Sequence, residues 1–196
     1  MLPRKRFSFL SIKVGMLFSK LPLTPNQWTL ISVLPAIVSA YFIINENFLL
    51  GALLFGTASF LDLVDGSVAR VTGRVTKKGA YLDTIIDRYI EGLIVFGLLF
   101  VSLPIPNSTL WIVLYLFGSM MTTYAKAAAK EKNLTEEELR GGLTERAERL
   151  VLLFLGLLLA NLSKAYLSYI VIILAVLSNA TALQRIYIAL RKKQDL

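Results

Sequence analysis

The sequence predicts an all-α integral membrane protein with six transmembrane helices preceded by an N-terminal interfacial amphipathic helix. The 196-residue chain is 56 % hydrophobic with a mean hydropathy of +0.64, whereas soluble domains are usually about 45–50 % apolar. Six apolar stretches approach the roughly 20 residues that a helix needs to cross a bilayer. Basic residues concentrate in alternate connections between these stretches, which is typical of cytoplasmic loops.

Residues 1–22 are expected to form the amphipathic helix, and residues 23–196 a single six-span domain. The apolar side chains that recur at helical spacing in the first segment are Phe7, Leu10, Val14, Leu17, Phe18 and Leu21, with Lys13 and Lys20 between them. Pro22 and Pro25 end this helix, and Thr24 or Asn26 is expected to cap the next one. The sequence leaves open whether this helix is a plain basic anchor or has a more specific role.

The six spans are placed at residues 27–45, 48–70, 80–103, 108–130, 147–161 and 165–189, separated by short polar or proline-containing breaks. Lysine and arginine accumulate before the first span, after the second and fourth spans, and at the C-terminus. Both termini are therefore expected on the cytoplasmic side of the plasma membrane. This distribution also explains the net charge of +8 by topology and lipid contact, and nucleic acid is not expected as a partner.

Two missing residue types limit the chemistry. The chain has no cysteine, which excludes disulfides and thiol chemistry, and no histidine, which removes the commonest metal ligand and general base. Any acid–base chemistry must fall to carboxylates, lysine, tyrosine or water.

Residues 62–87 carry the most informative pattern, D-x2-D-G-x2-A-R-x8-G-x3-D-x3-D. Asp62 and Asp65 are spaced i, i+3, and Asp83 and Asp87 are spaced i, i+4, so each pair lies on one face of its helix. Ionisable residues inside a membrane are costly and indicate a functional site. Four converging carboxylates repel one another unless a cation lies between them, and oxygen ligands suit Mg²⁺, Ca²⁺ or Mn²⁺.

Small residues and a cation accompany these acids. Gly66, Ala69 and Gly79 allow a ligand to approach the backbone closely, and Arg70 is a suitable partner for phosphate. Metal ligands, a small-residue cleft and a cation at the membrane boundary favour a substrate with a diphosphate head and a lipid tail. The chemistry that such a site supports is metal-assisted phosphoryl transfer.

Two non-enzymatic interpretations compete with this one. Intramembrane acids and arginines can hold helices together, and acid chains can conduct cations or protons in a transporter. Four acids against Arg70 and Arg88 give a poor charge balance without a metal. A second acid-bearing half, which an inverted-repeat transporter would have, is not visible in the sequence.

The 62–87 pattern resembles the signature of the CDP-alcohol phosphatidyltransferase family at all eight fixed positions. The resemblance implies a six-span membrane enzyme, commonly a homodimer, which displaces CMP from a CDP-linked donor at a divalent-metal site open to the cytoplasm. It implies that Asp62, Asp65, Asp83 and Asp87 bind two ions of Mg²⁺ or Mn²⁺, with Asp87 also acting as the catalytic general base. The residues it implies for CDP binding are Asn26, Thr29, Asp62, Gly66, Ala69, Arg70 and Gly79.

Two later segments resemble one branch of this family, the phosphatidylinositol-phosphate and archaetidylinositol-phosphate synthases. Residues 124–149 contain Y-A-K-A and G-G-L-T-E-R-A-E-R, and residues 179–185 read N-A-T-A-L-Q-R. The resemblance implies transfer from CDP-diacylglycerol or CDP-archaeol to inositol 1-phosphate. It assigns the acceptor phosphate to Lys126, Arg146, Arg149 and Arg185. The stretch Lys130 to Arg140 looks longer than this branch's usual connection.

The sequence is compatible with several different activities. Within the family, glycerol 3-phosphate could replace inositol 1-phosphate as the acceptor, and CDP-inositol could replace the lipid donor, which would give di-inositol phosphate. Outside enzymes, the chain could be a cation or proton transporter or a non-catalytic lipid- or nucleotide-binding subunit. Metal-dependent release of CMP separates the enzymes from these non-enzymatic functions.

Overall fold

The computed structural model describes residues 4–134 and 142–191, with side chains from residue 11 onward. Within these ranges every regular element is a helix, as the sequence predicts. The helices are α1 (Arg4–Phe18), α2 (Pro25–Ile31), α3 (Val33–Ile44), α4 (Phe48–Val71), α5 (Lys77–Leu98), α6 (Ser108–Glu131), α7 (Arg146–Ala160) and α8 (Lys164–Arg191). The chain divides into two compact units, Met1–Gly97 and Leu98–Leu196.

In the first unit, α1, α2 and α3 all pack on α4. Trp28, Val64 and Val68 form a buried apolar cluster, against which Val14 and Phe18 of α1 are packed. The predicted apolar face of the first helix is therefore divided, because Leu17 remains 63 % exposed. The helix ends at Phe18, so Leu21 lies beyond it. One part of that face holds α1 on the protein, and the other part is free for other contacts.

The predicted first span, 27–45, consists of two helices that are interrupted at Ser32. Pro35 explains the interruption, because it has no N–H to donate to the carbonyl of Ile31 and its ring crowds that carbonyl. Thr24, rather than Asn26, caps the first of the two helices. Its hydroxyl accepts a hydrogen bond from the Gln27 N–H, and its own N–H donates to Gln27 Oε1 at 2.7 Å.

A tight connection joins α4 to α5. Gly73 adopts φ +66°, and the Arg74 N–H donates to the Ala69 carbonyl at 2.9 Å, which is the Schellman end of a helix. Thr76 then accepts a hydrogen bond from the Gly79 N–H at 3.0 Å, so α5 begins at Lys77, earlier than the predicted residue 80. This connection reverses the direction of the chain, and it brings Asp62 of α4 close to Asp83 and Asp87 of α5.

The third span was predicted to reach residue 103, but α5 ends at Leu98. The chain leaves the helix in a turn in which the Val101 N–H donates to the Leu98 carbonyl at 3.1 Å, and Pro104 disfavours a return to helical geometry in the residue before it. The predicted end of this span was therefore wrong.

In the second unit, α6 and α7 pack on α8. Polar side chains of α8 bind neighbouring backbone: Asn179 Nδ2 donates to the Leu114 carbonyl of α6 at 2.8 Å, and Thr181 Oγ1 accepts a hydrogen bond from the N–H of Thr144, just before α7, at 3.1 Å. The stretch Lys130 to Arg140 continues beyond the end of α6 at Glu131, and residues 135–141 lie outside the described part of the chain.

Three helical segments of the described chain are long and apolar enough to cross a membrane, namely Pro25–Ile44, Phe48–Val71 and Lys164–Arg191. They indicate a multi-pass membrane protein. Two of the other predicted spans are not among these segments. Helix α7 is shorter, with 15 residues or about 22 Å of helix. Helix α5 is less apolar, because it carries four charged residues between Asp83 and Glu91.

Gly118 allows a close approach of α6 to α8, and its replacement by alanine is expected to destabilise the protein. A Cβ there would lie 2.7 Å from the backbone nitrogen of Asn179, which cannot move alone. Such overpacking typically costs about 1–3 kcal/mol, more than the gain in helix propensity. Thermal unfolding in detergent measures the effect. Gly156→Ala is the control, because its Cβ would meet only apolar side chains at 3.1–3.4 Å; an equal loss in both variants would contradict the expectation.

Candidate active site

Three carboxylates converge where α4 meets α5. Asp62 from α4 and Asp83 and Asp87 from α5 each offer one oxygen, and these three oxygens all lie within 4.8 Å of one another. The i, i+4 spacing places Asp83 and Asp87 on one face of α5, and the tight connection after α4 brings that face to Asp62. All three residues are half-buried.

The geometry of this cluster fits a divalent cation. Mg²⁺, Mn²⁺ and Ca²⁺ bind oxygen at about 2.0–2.6 Å, so ligands on opposite sides of one ion lie about 4–5 Å apart. The separation of the three oxygens falls within that limit. The donors are all carboxylate oxygens, which suit hard cations better than Zn²⁺ or Cu²⁺.

Asp65 occupies a different position from the other three acids. It is 4 % exposed and accepts a hydrogen bond from Thr29 Oγ1 at 2.5 Å, which ties α4 to α2. It does not belong to the group of three close oxygens. Its predicted role as a metal ligand remains a prediction.

A cavity of about 320 Å³ lies beside these acids in the first unit. Six of the seven residues predicted to bind CDP line it, namely Asn26, Thr29, Gly66, Ala69, Arg70 and Gly79; Asp65 and Asp83 line it too. Asp62, the seventh predicted residue, is not part of this lining. The lining of the cavity therefore contains both carboxylates and a guanidinium group.

The two glycines of the pattern make room for specific neighbours. A Cβ on Gly66 would lie 3.3 Å from Nη1 of Arg70, so the guanidinium lies over this glycine. A Cβ on Gly79 would lie 3.1 Å from both Asn26 Oδ1 and Thr76 Oγ1. The absence of both side chains keeps polar groups of three elements close to the cavity.

Arg74 is a second cation in the cavity lining, and it was not among the residues predicted for the site. It directly follows Gly73, whose positive φ ends α4, and this turn places Arg74 at the cavity. Its position four residues after Arg70 is the feature of the sequence that could have indicated a shared site. Together the two arginines give the cavity the charge that a diphosphate requires.

The four predicted acceptor residues belong to the second unit. Arg149 is 1 % exposed, and its Nη2 donates to Ser119 Oγ at 3.3 Å. Arg185 Nη1 donates to the Thr122 carbonyl at 2.7 Å. Lys126 and Arg146 are half-buried. Burying an arginine is costly, and this cost favours a role beyond topology for Arg149.

Glu91 was also missed by the sequence analysis. It is fully buried and pairs with Arg88 at 3.0 Å, one turn after Asp87 on α5. The i, i+3 spacing of opposite charges was the available signal. This pair adds a further ionic interaction to the helix that carries two of the clustered acids.

Comparisons with known proteins identify the family that this chain resembles. The model of the CDP-alcohol phosphatidyltransferase family matches residues 22–181. The chain is 32 % identical over 180 residues to the archaetidylinositol phosphate synthase of Pyrococcus horikoshii, covering 92 % of this chain and 90 % of that protein. It is 31 % identical to the bifunctional IPC transferase and DIPP synthase of Aquifex aeolicus, covering 87 % of this chain but 40 % of that protein.

The fold is similar to that of the phosphatidylinositol phosphate synthase of Mycobacterium tuberculosis. Its crystal structure with CDP-DAG bound superposes with a TM-score of 0.80 at 25 % identity, covering 91 % of this chain and 92 % of that one. Its complex with manganese and citrate gives a TM-score of 0.82 at 26 % identity, covering 92 % and 88 % of the two chains.

Replacing Asp62 by asparagine is expected to weaken Mn²⁺ binding about tenfold or more, because a carboxylate is lost from the three-acid cluster. Electron paramagnetic resonance of free Mn²⁺, titrated with purified protein, measures the affinity. Glu131→Gln removes an exposed carboxylate paired with Lys132 and serves as the control. Unchanged binding in the Asp62 variant would exclude the cluster as the metal site.

Proposed function

We propose that this chain, which belongs to the CDP-alcohol phosphatidyltransferase family, transfers a phosphatidyl or archaetidyl group from a CDP-linked lipid to inositol 1-phosphate and releases CMP. One observation carries the proposal: three carboxylates that fit a divalent cation adjoin a cavity lined by two arginines and by six residues of the predicted CDP site. The similarity to an archaetidylinositol phosphate synthase over 92 % of the chain supports the choice of acceptor.

The reaction is a single displacement at phosphorus. A hydroxyl oxygen of the acceptor forms a bond to the lipid-bearing phosphorus of the donor, and the bond from that phosphorus to the CMP oxygen breaks. Asp87 accepts the hydroxyl proton, which is a role that a chain without histidine must give to another base. CMP leaves with the electron pair of the broken bond.

We assign the donor's diphosphate to Arg70 and Arg74, and its nucleotide to the small-residue part of the cavity at Gly66, Ala69 and Gly79. A guanidinium group can donate two parallel hydrogen bonds to two oxygens of one phosphate. It therefore orients the phosphate as well as attracting it. The absent side chains at the glycines allow close contact with the backbone.

Asp62, Asp83 and Asp87 would hold the divalent cation, with Asp65 adding oxygens from α4. When bound, the cation would neutralise charge on the diphosphate during transfer. The relative that was crystallised with manganese and citrate supports a divalent ion. Two ions of Mg²⁺ are proposed for this chain, on the family resemblance and on the chemistry of the four acids.

For the acceptor, we assign its phosphate to Lys126, Arg146, Arg149 and Arg185. A phosphorylated acceptor needs cationic partners, whereas free inositol or serine does not. The cost of burying Arg149, at 1 % exposure, is consistent with such a role.

A second candidate function is transfer from CDP-inositol. The similarity to the bifunctional IPC transferase and DIPP synthase favours it over transfer to glycerol 3-phosphate and over cation or proton transport. The same acidic cluster would act on this donor. An assay with both donors distinguishes this function from transfer of a lipid group.

The arrangement in the membrane is proposed to follow the charge distribution. Residues 23–196 form one domain with six spans, residues 1–22 lie at the interface, and both termini and the active site face the cytoplasm of the plasma membrane. Exposed Ile12, Met16 and Leu17 of α1 suit contact with lipid. A homodimer is proposed on the family resemblance, and light scattering in detergent tests it.

CMP release tests the proposal directly. Purified protein is incubated with CDP-diacylglycerol or CDP-archaeol and Mg²⁺, and each of inositol 1-phosphate, glycerol 3-phosphate, serine and free inositol is added in turn. We expect metal-dependent release with inositol 1-phosphate alone. Release with another acceptor would contradict the acceptor, and release only when CDP-inositol replaces the lipid donor would support the second candidate function.

Replacing Asp87 by asparagine is expected to lower kcat about 100-fold or more, because the general base is lost. Equilibrium binding of the CDP-lipid should weaken only modestly, since one ligand of the cation is lost but the cavity residues that hold the donor are intact. Near-normal turnover in this variant would show that Asp87 is not the base.

Replacing Arg146 by alanine is expected to raise the KM for the acceptor about tenfold, because a charged hydrogen bond contributes about 1.5–3 kcal/mol. The KM for the donor should stay within about twofold. Lys130→Ala is the matched control, because Lys130 lies exposed in the last turn of α6 and no substrate role is assigned to it. Equal changes in both KM values would indicate a structural role for Arg146.

A further inference from the structure

We infer that Ser11 of α1 positions the Arg70 guanidinium at the donor cavity, so that the first helix takes part in donor binding. This inference rests on the proposed function, in which Arg70 binds the donor's diphosphate. Ser11 does not line the cavity. It is therefore a positioning residue that acts through Arg70.

The hydrogen bonds around Ser11 have a fixed direction. Arg70 Nη2 donates to Ser11 Oγ at 2.7 Å and to Ser67 Oγ at 3.3 Å, and the two serine oxygens are 2.9 Å apart. The Ser67 hydroxyl donates its only proton to the Leu63 carbonyl at 2.7 Å. Ser11 must therefore donate its own proton to Ser67, which leaves its lone pairs for Arg70.

Packing of α1 on α4 determines where Ser11 lies. Gly15 follows Ser11 by one helical turn and is buried, and a Cβ on it would lie 2.5 Å from the Ser67 carbonyl oxygen. The two backbones thus approach as closely as glycine permits. Val14 and Phe18 hold the same face of α1 against the buried apolar cluster that includes Trp28. Ser11 is placed by this interface and not by a loop.

The consequence for Arg70 follows from its own position. Arg70 lies in the last turn of α4 and is exposed, so its long side chain would otherwise sample many rotamers. Ser11 and Ser67 hold the Nη2 end of the guanidinium, while Nη1 lies over Gly66 at the cavity. Among the described residues, Nη1 and Nε have no hydrogen-bond partner, which leaves them for an anion. A preoriented arginine loses less entropy when the diphosphate binds.

The test uses the full chain in detergent or nanodiscs. Replacing Ser11 by alanine is expected to raise the KM for the CDP-lipid about fivefold, less than the loss of a charged hydrogen bond to the substrate itself, because Ser11 acts only through Arg70 and Ser67 still binds the guanidinium. The acceptor KM and kcat should stay within about twofold, and Ser11→Thr should restore most of the donor KM. Ser19→Ala is the matched control, because the Ser19 hydroxyl donates only within its own segment, to the Met16 carbonyl.

A double-mutant cycle with Arg70→Ala separates positioning from helix docking. If Ser11 acts through Arg70, Ser11→Ala has no further effect on the donor KM once Arg70 is absent. The same fold-change in both backgrounds, or none in the wild-type background, would overturn the inference while leaving the proposed function intact. An unchanged donor KM in Arg70→Ala alone would instead reject the assignment of Arg70 to the diphosphate.

Discussion

Three carboxylate oxygens within 4.8 Å of one another, on helices of a membrane protein, create a repulsion that the rest of the first unit must accommodate. Two unit charges 4 Å apart repel by about 4 kcal/mol at an effective dielectric constant of about 20. A divalent cation reverses this balance, because each carboxylate then gains an attraction to it. The Schellman end of α4 at Gly73 and the Thr76 cap of α5 turn the chain back. They bring Asp62 close enough to the acids of α5 for one cation to bind all three.

Beside the acidic cluster, small residues and the short helix α2 line the cavity that is proposed to bind the donor's head group. Interrupting the first apolar segment at Ser32 leaves α2 as a separate helix, whose Thr29 binds Asp65 and whose Asn26 lies near Gly79. Helix α1 contacts the same region through the hydrogen bond from Arg70 to Ser11. A helix that the charge pattern explains as an anchor thus also contacts the residue assigned to the diphosphate.

Much of this fold could be predicted because its signals are local. Apolar length, prolines and basic loops located the helices to within a few residues, and the family resemblance predicted six residues of the cavity lining. The break at Ser32 was not predicted, because it follows from the backbone hydrogen bond that Pro35 cannot donate. The hydropathy of the segment does not reflect that loss. Neither the separation of Asp65 from the other acids nor the Ser11–Arg70 contact could be predicted, since both depend on how α1 and α2 pack on α4. Sequence spacing describes one helix at a time and carries no information on such packing.

Anomalous diffraction from crystals grown with Mn²⁺ tests the central claim most directly, because it locates the ion without reference to activity. A peak about 2.2 Å from carboxylate oxygens of Asp62, Asp83 and Asp87 is the expected result, and it would also show whether Asp65 joins them. A crystal that contains Mn²⁺ at other positions but none at these three acids would contradict the claim that they form the metal centre of the transferase.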